Sequence, residues 1–369
     1  MQKTFRIVHL SSAHPDADVR IFLKECRSLA KRFPECEIHL VLAGVQAREE
    51  DGVFIHTVPP RSGNRLQRMW TTVNQVFEKA KELQGDIYHL HDPELLRIAL
   101  KLKKGGKKVI YDAHEDLPRQ LLGKSYLPMK KWAARAFEAY EDYTVKKLDA
   151  VVTATPFIRE RFAKIHPLVV DINNYPLLSE IELNELGQEE RTHVAYIGGI
   201  SRIRGISQLV EAIAYTGTTL HLAGEIAPDY LEELSSIPGW ESVVPYGHVS
   251  RKDAQAIKQK AFAGVVTFLP LPNHVNAQPN KIFEYMASGI PVIGSHFPLW
   301  KNLIQDHEVG ICVNPEHPNA IADAIETLRN NPEKAREMGT KGKELVTNTF
   351  NWNAEEEKLV ALYQTLIHI

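Results

Sequence analysis

Short β-branched apolar runs alternate along this chain with longer segments whose apolar residues recur every three to four positions. In the first half, FRIVHL (5–10), EIHLVLAG (37–44), VFIHTV (53–58), DIYHLHD (86–92), KKVIYDAHE (107–115) and DAVVTAT (149–155) predict strands. A helix is predicted near Arg20 to Phe33, with further amphipathic patterns at 64–84, 93–104 and 128–147. Such alternation builds βαβ units, because a parallel strand pair needs a long crossover and helices then cover both faces of the sheet.

The polar, acidic segment LLSEIELNELGQEER (177–191) interrupts this pattern, and the alternation then begins again. HVAYIGG (193–199), TLHLAG (219–224), ESVVPYG (241–247), AGVVTFLP (263–270), IPVIGS (290–295) and GICV (310–313) predict a second sheet. Helical patterns at 205–215, 229–236, 251–260, 281–288, 319–330 and 332–348 fill the gaps. The expected organisation is α/β: a Rossmann-like domain over 1–176, a linker over 177–191 and a second Rossmann-like domain over 192–348. A terminal segment, 349–369, holds a helix whose Trp352, Leu359, Leu362, Tyr363 and Leu366 are spaced for burial. Two doubly wound domains imply a central cleft, with ligands beyond the carboxyl ends of the strands.

Length and composition sharpen this picture. At 369 residues, 44% apolar and 24% charged, the chain is too long for one core and unlike a disordered or repetitive protein. Its 44 Lys and Arg against 46 Asp and Glu give no global attraction for a nucleic acid polymer. Cys26, Cys36 and Cys312 show no paired spacing, which suits a reducing compartment. No uncharged apolar stretch approaches the about 18 to 20 residues that span a bilayer. The expectation is a cytoplasmic protein, with contact at the inner face of the plasma membrane left open.

Candidate anion chemistry lies in the second half. After the strand ending at Ile197 comes GGISRIRG (198–205) and then a helical pattern. Gly198 and Gly199 let backbone N–H groups approach an anion, Arg202 and Arg204 add charged donors, and the next helix presents its amino end. The plainer reading is a glycine turn with two solvent-facing arginines. The segment is neither GxGxxG nor a Walker loop, which weakens dinucleotide and ATPase readings. In FLPLPNHVNAQPNKIFEYMASGIPVIGS (268–295), a helix begins near Lys281 and stops at Gly289. Glu284 can accept from both hydroxyls of a ribose, Lys281 can reach phosphate oxygens, and Asn280 can cap the helix. The plainer reading makes Lys281 and Glu284 surface charges.

Candidate acceptor chemistry lies in the first half. DIYHLHD puts His89 and His91 on one side of a strand, with Asp92 opening the next helix. His91 is nearer the loop and is the preferred histidine. VIYDAHED adds Asp112, His114, Glu115 and Asp116 at another strand end, and SSAHPDADVRIF supplies His14, Asp16, Asp18 and Arg20 before a helix. Satisfied hydrogen bonds and helix caps would explain most of these groups equally well. There is no HExxH, EF-hand loop or GxSxG elbow, so metal-independent transfer is the economical expectation. RSGNRLQRMWTTVNQVFEKAKEL (61–83) joins Arg61, Arg65 and Arg68 to Leu66, Met69, Trp70, Val73 and Phe77. It reads first as a helix completing the first domain's core, and second as a surface for an anionic membrane.

Taken together, HPDADVRIF, HLHDPELL, YDAHED, YIGGISRIRG, PNKIFEYMASGIPV and the Trp-bearing terminal helix resemble the retaining glycosyltransferases of family 4, along nearly the whole chain. The resemblance implies a GT-B architecture, two Rossmann-like domains facing a central cleft, with the terminal helix crossing back onto the first domain. It implies that Glu284 holds the donor ribose, that Arg204 is the basic residue of the glycine-rich turn and that His91 is the acceptor-side histidine. Gly198, Gly199, Arg202, Asn280, Lys281 and Ile282 would complete the donor site. His14, Asp18, Arg20, Asp92, His114 and Glu115 would line the acceptor side. The family's first glutamate, eight residues before Glu284, is replaced by Asn276, and HPDAD stands in place of the common diglycine.

The expected function is retaining transfer of a sugar from a nucleotide-sugar, UDP-sugar favoured over GDP-sugar, to a saccharide or lipid-linked saccharide hydroxyl, with no other cofactor and no metal required. Surface polysaccharide or glycoconjugate synthesis is the setting the resemblance suggests. The alternatives are a non-catalytic nucleotide-sugar-binding or scaffold protein, another GT-B class, and a dinucleotide oxidoreductase.

Overall fold

A computed structural model describes residues 4–60, 65–123, 129–179 and 191–367; for 65–68 only the backbone is described. It divides into two compact units, Met1–Asn174 with Asn353–Ile369, and Tyr175–Trp352.

The first unit contains β1 (Phe5–Leu10), β2 (Cys36–Ala43), β3 (Arg48–Glu50), β4 (Val53–Val58), β5 (Ile87–Leu90), β6 (Lys108–Ala113), β7 (Ala150–Thr153) and β8 (Val169–Asp171). Their order in the sheet is β3-β4-β2-β1-β5-β6-β7-β8, parallel except for β3 against β4. The core gathers Val8, Leu10, Val41, Leu90, Val109 and Val151, all fully buried, and each such side chain contributes roughly 1.5–3 kcal/mol. Val73, Val76 and Ala80 of the helix Arg65–Leu83 complete this core. The plainer reading of that segment therefore holds for its inner face, while Arg61, Arg65, Leu66 and Arg68 lie outside what is described of side chains.

The helix expected near Arg20 begins as a π-helix, Val19–Cys26, and continues as an α-helix, Arg27–Arg32. Asp18 caps it by accepting from the backbone N–H groups of Arg20 and Ile21 at 2.9 and 2.8 Å. The wider π turn carries Arg20, Lys24 and Glu25 inward, all buried. Short elements escaped the sequence pattern: strands β3 and β8, and helices Leu117–Gly123 and Pro156–Phe162.

The second unit contains β9 (His193–Ile197), β10 (Thr219–Ala223), β11 (Val243–Gly247), β12 (Ala261–Val266), β13 (Val292–Ser295) and β14 (Gly310–Val313). All are parallel, in the order β11-β10-β9-β12-β13-β14. β12 stops at Val266 instead of running on to Pro270, since proline has no N–H to pair. The chain direction of crossovers reverses at β9, whose neighbours are β10 and β12, so the segment after Ile197 sits at the switch point.

The terminal helix, Trp352–Ile367, buries Leu359, Leu362, Tyr363 and Leu366. Within the first unit its Glu355 accepts from the Asn173 N–H at 2.8 Å, Glu356 from the Ser28 hydroxyl at 3.2 Å, and Tyr363 packs on Phe33. None of the described helices is long and apolar enough to cross a membrane.

Candidate active site

Strand register assembles the first-unit site. β1 pairs with β5 so that His9 lies beside His89, and β5 pairs with β6 so that Leu90 lies beside Tyr111. Side chains alternate faces, so His91 and Asp112, one residue further, share the face of His9 and His89. The ring centroids of His9, His89 and His91 are 4.5–5.1 Å apart.

One set of tautomers satisfies the chain of contacts from Asp112 to His89 Nδ1, while His89 Nε2 and both Glu25 oxygens are buried without a hydrogen-bond partner. Asp112 is the anion, because the buried Arg20 guanidinium donates to both its carboxylate oxygens at 3.0 and 2.8 Å. His91 Nδ1 faces Asp112 Oδ2 at 3.2 Å and donates to it, which leaves Nε2 to accept from His9 Nδ1 at 2.8 Å. His9 Nε2 then accepts from the Tyr363 hydroxyl at 3.3 Å, and that hydroxyl accepts from His89 Nδ1 at 2.9 Å. Burial, acting against the Asp112 hydrogen bond, lowers the His91 pKa to about 4. His9 and His89 are likewise pushed below the ordinary range, chiefly by burial and then by the neighbouring His91. Glu25, buried 3.2 Å from Arg20 Nε, is pushed up by burial and by Asp112, against the pull of Arg20.

His91 is therefore 1% exposed with both ring nitrogens committed inward, and it presents none to a substrate. That differs from its expected place beside a reacting centre: its ring packs on those of His89 and His9 and lies 5.5 Å from the His114 ring. His114 occupies the outer position. Its Nε2 donates to Asp112 Oδ2 at 2.8 Å, it is half-buried, and its Nδ1 has no partner among the described residues.

The other acceptor-side candidates fall into place around it. His14 packs edge-on against His114 at 5.1 Å and pairs with Asp18 at 2.9 Å and Asp92 at 3.4 Å. Burial opposes its charge, but the two carboxylates overcome it and raise its pKa to about 10. Burial would raise Asp18 and Asp92, yet His14 and nearby hydrogen-bond donors hold both at about 2. Asp92 is buried and accepts from the Ser11 hydroxyl at 2.8 Å and the Ser12 N–H at 2.6 Å, a loop-fixing role. Arg20 is spent on Asp112 and the Ile172 carbonyl, so it is not an acceptor contact. Glu115 is exposed and accepts from Gln120.

Two groups, His9–Glu25–His89–His91 and His91–Asp112–His114, hold possible metal-donor atoms within 4.8 Å of one another. Sequence reasoning had no means of joining His9 to His89, since their contact spans two strands distant in the chain. The DIYHLHD alternation was the available signal for the shared face.

The second-unit site is built differently. Gly198 follows β9 with φ of 128°, and a Cβ there would overlap the Lys281 ammonium. Gly205, with φ of 70°, ends a 3-10 turn over Arg202–Arg204, and a Cβ there would overlap the Thr267 carbonyl oxygen. Both positions thus favour glycine for backbone conformation, and Gly205 needs it for space as well. The Arg204 guanidinium would stand 3.4 Å from a Cβ on Gly199, and it lies 5.1 Å from the Phe268 ring centroid. Lys281 Nζ sits 5.4 Å from the Tyr196 ring centroid.

Arg204 and Lys281 therefore converge on the Gly198–Gly199 turn, and among the described residues no carboxylate forms an ion pair with either. Burial, and then the Arg204 charge, lower the Lys281 pKa to about 8, against the pull of Glu284. Two cations sharing a half-buried turn without an anion form a site that an anion would stabilise. Lys281 and Glu284 lie three residues apart on the helix Asn280–Ala287, hence on one side of it, and Glu284 is exposed.

Three donor-site expectations change. Arg202 pairs with Glu233 at 2.6 Å and Asp229 at 3.3 Å, and stacks on Tyr230 at 4.6 Å, so its charge is already used. Asn280 makes no cap, because the N-cap position belongs to Pro279. Ile282 is fully buried and its N–H donates to the Pro279 carbonyl at 3.1 Å, so it is a core residue.

Solved structures share this architecture. Sucrose-phosphate synthase from Thermosynechococcus elongatus aligns with a TM-score of 0.78 at 19% identity, over 99% of both chains. Anabaena HepE in complex with UDP aligns with a TM-score of 0.70 at 14% identity, over 98% of this chain and 100% of that one. These likenesses define the class as GT-B, two Rossmann-like α/β domains. The chain belongs to the family 4 glycosyltransferases, matching "Glycosyltransferase Family 4" over residues 7–171 and "Glycosyl transferases group 1" over 191–331. It is thus a sugar-transferring enzyme. Among its relatives, the alpha-maltose-1-phosphate synthase of Mycolicibacterium smegmatis is 22% identical over 282 residues, covering 67% of this chain and 73% of that protein. The D-rhamnosyltransferase WbpZ of Pseudomonas aeruginosa is 24% identical over 283 residues, covering 72% and 70%.

Proposed function

We propose that this enzyme moves a sugar from a nucleotide-sugar, UDP-sugar in preference to GDP-sugar, to a hydroxyl of a saccharide or lipid-linked saccharide, with retention at the anomeric carbon. The observation that carries the donor half is the Arg204–Lys281 pair at the Gly198–Gly199 turn. A donor diphosphate supplies the anion these cations lack, and their charge stabilises the diphosphate as it departs. Glu284, one turn along the same helix, accepts from the ribose hydroxyls. The HepE complexes with UDP and with UDP-glucose support the choice of uridine nucleotide.

On the acceptor side the working residue is His114. Asp112 holds its Nε2–H, so Nδ1 is the basic nitrogen and orients the incoming hydroxyl. A donor phosphate oxygen takes the hydroxyl proton as the new bond forms on the face the leaving group vacates, so no enzyme nucleophile is required. Synthesis of surface polysaccharide or a related glycoconjugate is the setting, and the enzyme works at the cytoplasmic face.

A mass-resolved screen of UDP-, GDP-, ADP- and CMP-sugars, with free nucleotide and transferred sugar read in the same samples, tests this. Selective binding with turnover supports the reading. Tight donor binding without transfer to any acceptor would favour the non-catalytic alternative, to which Asn276 in place of a glutamate gives some weight. Failure of a folded protein to bind any donor would overturn the donor assignment.

A further inference from the structure

The helix Lys130–Val145 turns one face to its own unit and the other to solvent, and the two differ in chemistry. Its carboxylates are paired: Glu138 with Arg119, and Glu141 and Asp142 with Arg161, Glu141 buried and the other two half-buried. The exposed positions from Met129 to Lys147 hold no acid at all. They carry Met129, Trp132, Tyr140 and Tyr143, the cations Lys131, Arg135, Lys146 and Lys147, and otherwise alanine.

These apolar groups are exposed to an unusual degree for their size: Met129 is 72% exposed, Trp132 68% and Tyr143 58%. Lys147 lies 3.5 Å from the Tyr143 ring centroid. The face continues onto neighbouring helices. Arg97, which interacts electrostatically with Tyr140, stacks on Trp70 at 3.6 Å, and Trp70 is 61% exposed. Lys101, exposed one turn beyond Arg97, lies 5.6 Å from the Phe77 ring centroid.

We infer that this face is a docking surface for an anionic lipid bilayer, with Trp132, Tyr140, Tyr143 and Trp70 entering the headgroup layer and the flanking lysines and arginines meeting lipid phosphates. Charge complementarity selects this occupant. Aromatic residues with one polar end partition to the membrane–water boundary, and cations beside them gain from the negative surface potential of the bilayer. A protein partner would ordinarily meet charges of both signs around the apolar centre, whereas the exposed charges from Met129 to Lys147 are all positive and the half-buried acids among them are ion-paired. The inference extends the lipid-linked acceptor reading and depends on it for its purpose alone, since it places the enzyme where such an acceptor resides.

The test is co-sedimentation of the full chain with vesicles of phosphatidylcholine alone and with 30 mol% phosphatidylglycerol (about one lipid in three, a common anionic fraction), without donor or acceptor. Binding to the anionic vesicles at least about tenfold stronger, and largely lost in high salt, is the expected result. The Trp132→Ser/Tyr143→Ser double variant and, separately, Arg135→Glu/Lys147→Glu should each lower that binding about tenfold while leaving melting temperature and nucleotide-sugar binding unchanged. Equal partitioning to neutral and anionic vesicles, or unaltered binding by both variants, would overturn the proposal. So would a wild-type dimer that both variants dissociate, which would assign the face to a second copy. Because vesicle binding and nucleotide-sugar binding are read separately, failure of one leaves the other standing.

Discussion

The two units handle charge in opposite ways. In the first, Asp112 is neutralised by Arg20 and receives hydrogen bonds from His91 and His114, and a chain of neutral imidazoles carries the pattern back to Tyr363. In the second, Arg204 and Lys281 converge on a glycine turn with no ion-paired carboxylate among the described residues, and the Lys281 pKa falls to about 8. The first arrangement carries its own counter-charge, the Arg20 guanidinium on Asp112. The second is incomplete, and its unbalanced charge is what an anionic ligand would correct. Perturbed ionisation occurs in both, so perturbation alone does not identify a binding site; the presence or absence of an internal counter-charge does.

Substitutions should separate the two arrangements most sharply at Asp112. Replacing it with alanine removes the carboxylate that Arg20 donates to twice, leaving Glu25 at 3.2 Å, and should cost about 3 kcal/mol of stability, read as a large drop in denaturation midpoint. A small change would mean the network is more open than its burial indicates. The Arg204→Ala/Lys281→Ala double variant should do the reverse. Nucleotide-sugar affinity should fall by about a hundredfold or more, from two charge-assisted contacts, with stability unchanged or raised by relief of repulsion.

The paired histidines sharpen the acceptor assignment. His114→Ala should lower kcat by about a hundredfold or more with the melting temperature nearly unchanged. His91→Ala should instead cost roughly 1–3 kcal/mol of stability by leaving Asp112 and His9 short of partners, and any loss of turnover should follow from that. The opposite split would restore His91 as the residue at the reacting centre.

The same cluster sets a pH dependence. His91 has a folded pKa of about 4 against about 6.5 unfolded, so its contribution is present above pH 6.5 and is lost as pH falls towards 4. From pH 7 to 5 the first unit should lose about 2 kcal/mol from this residue, seen as a falling thermal midpoint that a His91→Asn variant flattens. His14 runs the other way: raised to about 10, its contribution is whole below pH 6.5 and disappears as pH rises through 10. The smallest effect belongs to Arg202. Its partners are Glu233 and Asp229, so Arg202→Ala should change nucleotide-sugar affinity less than about threefold, as expected of an exposed ion pair screened by solvent.

Much of the fold was legible because its signal is local. Period-two runs marked most strands, and the acidic stretch before Arg191 marked where the alternation restarts. The helix with Lys281 and Glu284 was legible too, bounded by Pro279 and Gly289. What was not legible depends on distant pairing. His9 lies 80 residues from His89, and only the β1–β5 register brings them together. Arg202 and Arg204 look alike in sequence, but the acids of the helix Pro228–Ser235 claim the first and leave the second. Its place near the loop favours His91 in the sequence, whereas the contacts that bury it, with His9, Asp112 and His114, come from segments distant from it in the chain.

The most direct test of the open cation pair is proton uptake on binding UDP-glucose, measured by calorimetry at pH 8 in buffers of different ionisation enthalpy. With Lys281 at about 8 when free, a diphosphate that raises its pKa should draw in up to about half a proton per site. That uptake should vanish near pH 6 and be absent in the Lys281→Ala variant. Binding without uptake, or with the same uptake in the variant, would contradict the claim that Lys281 and Arg204 await the donor's charge.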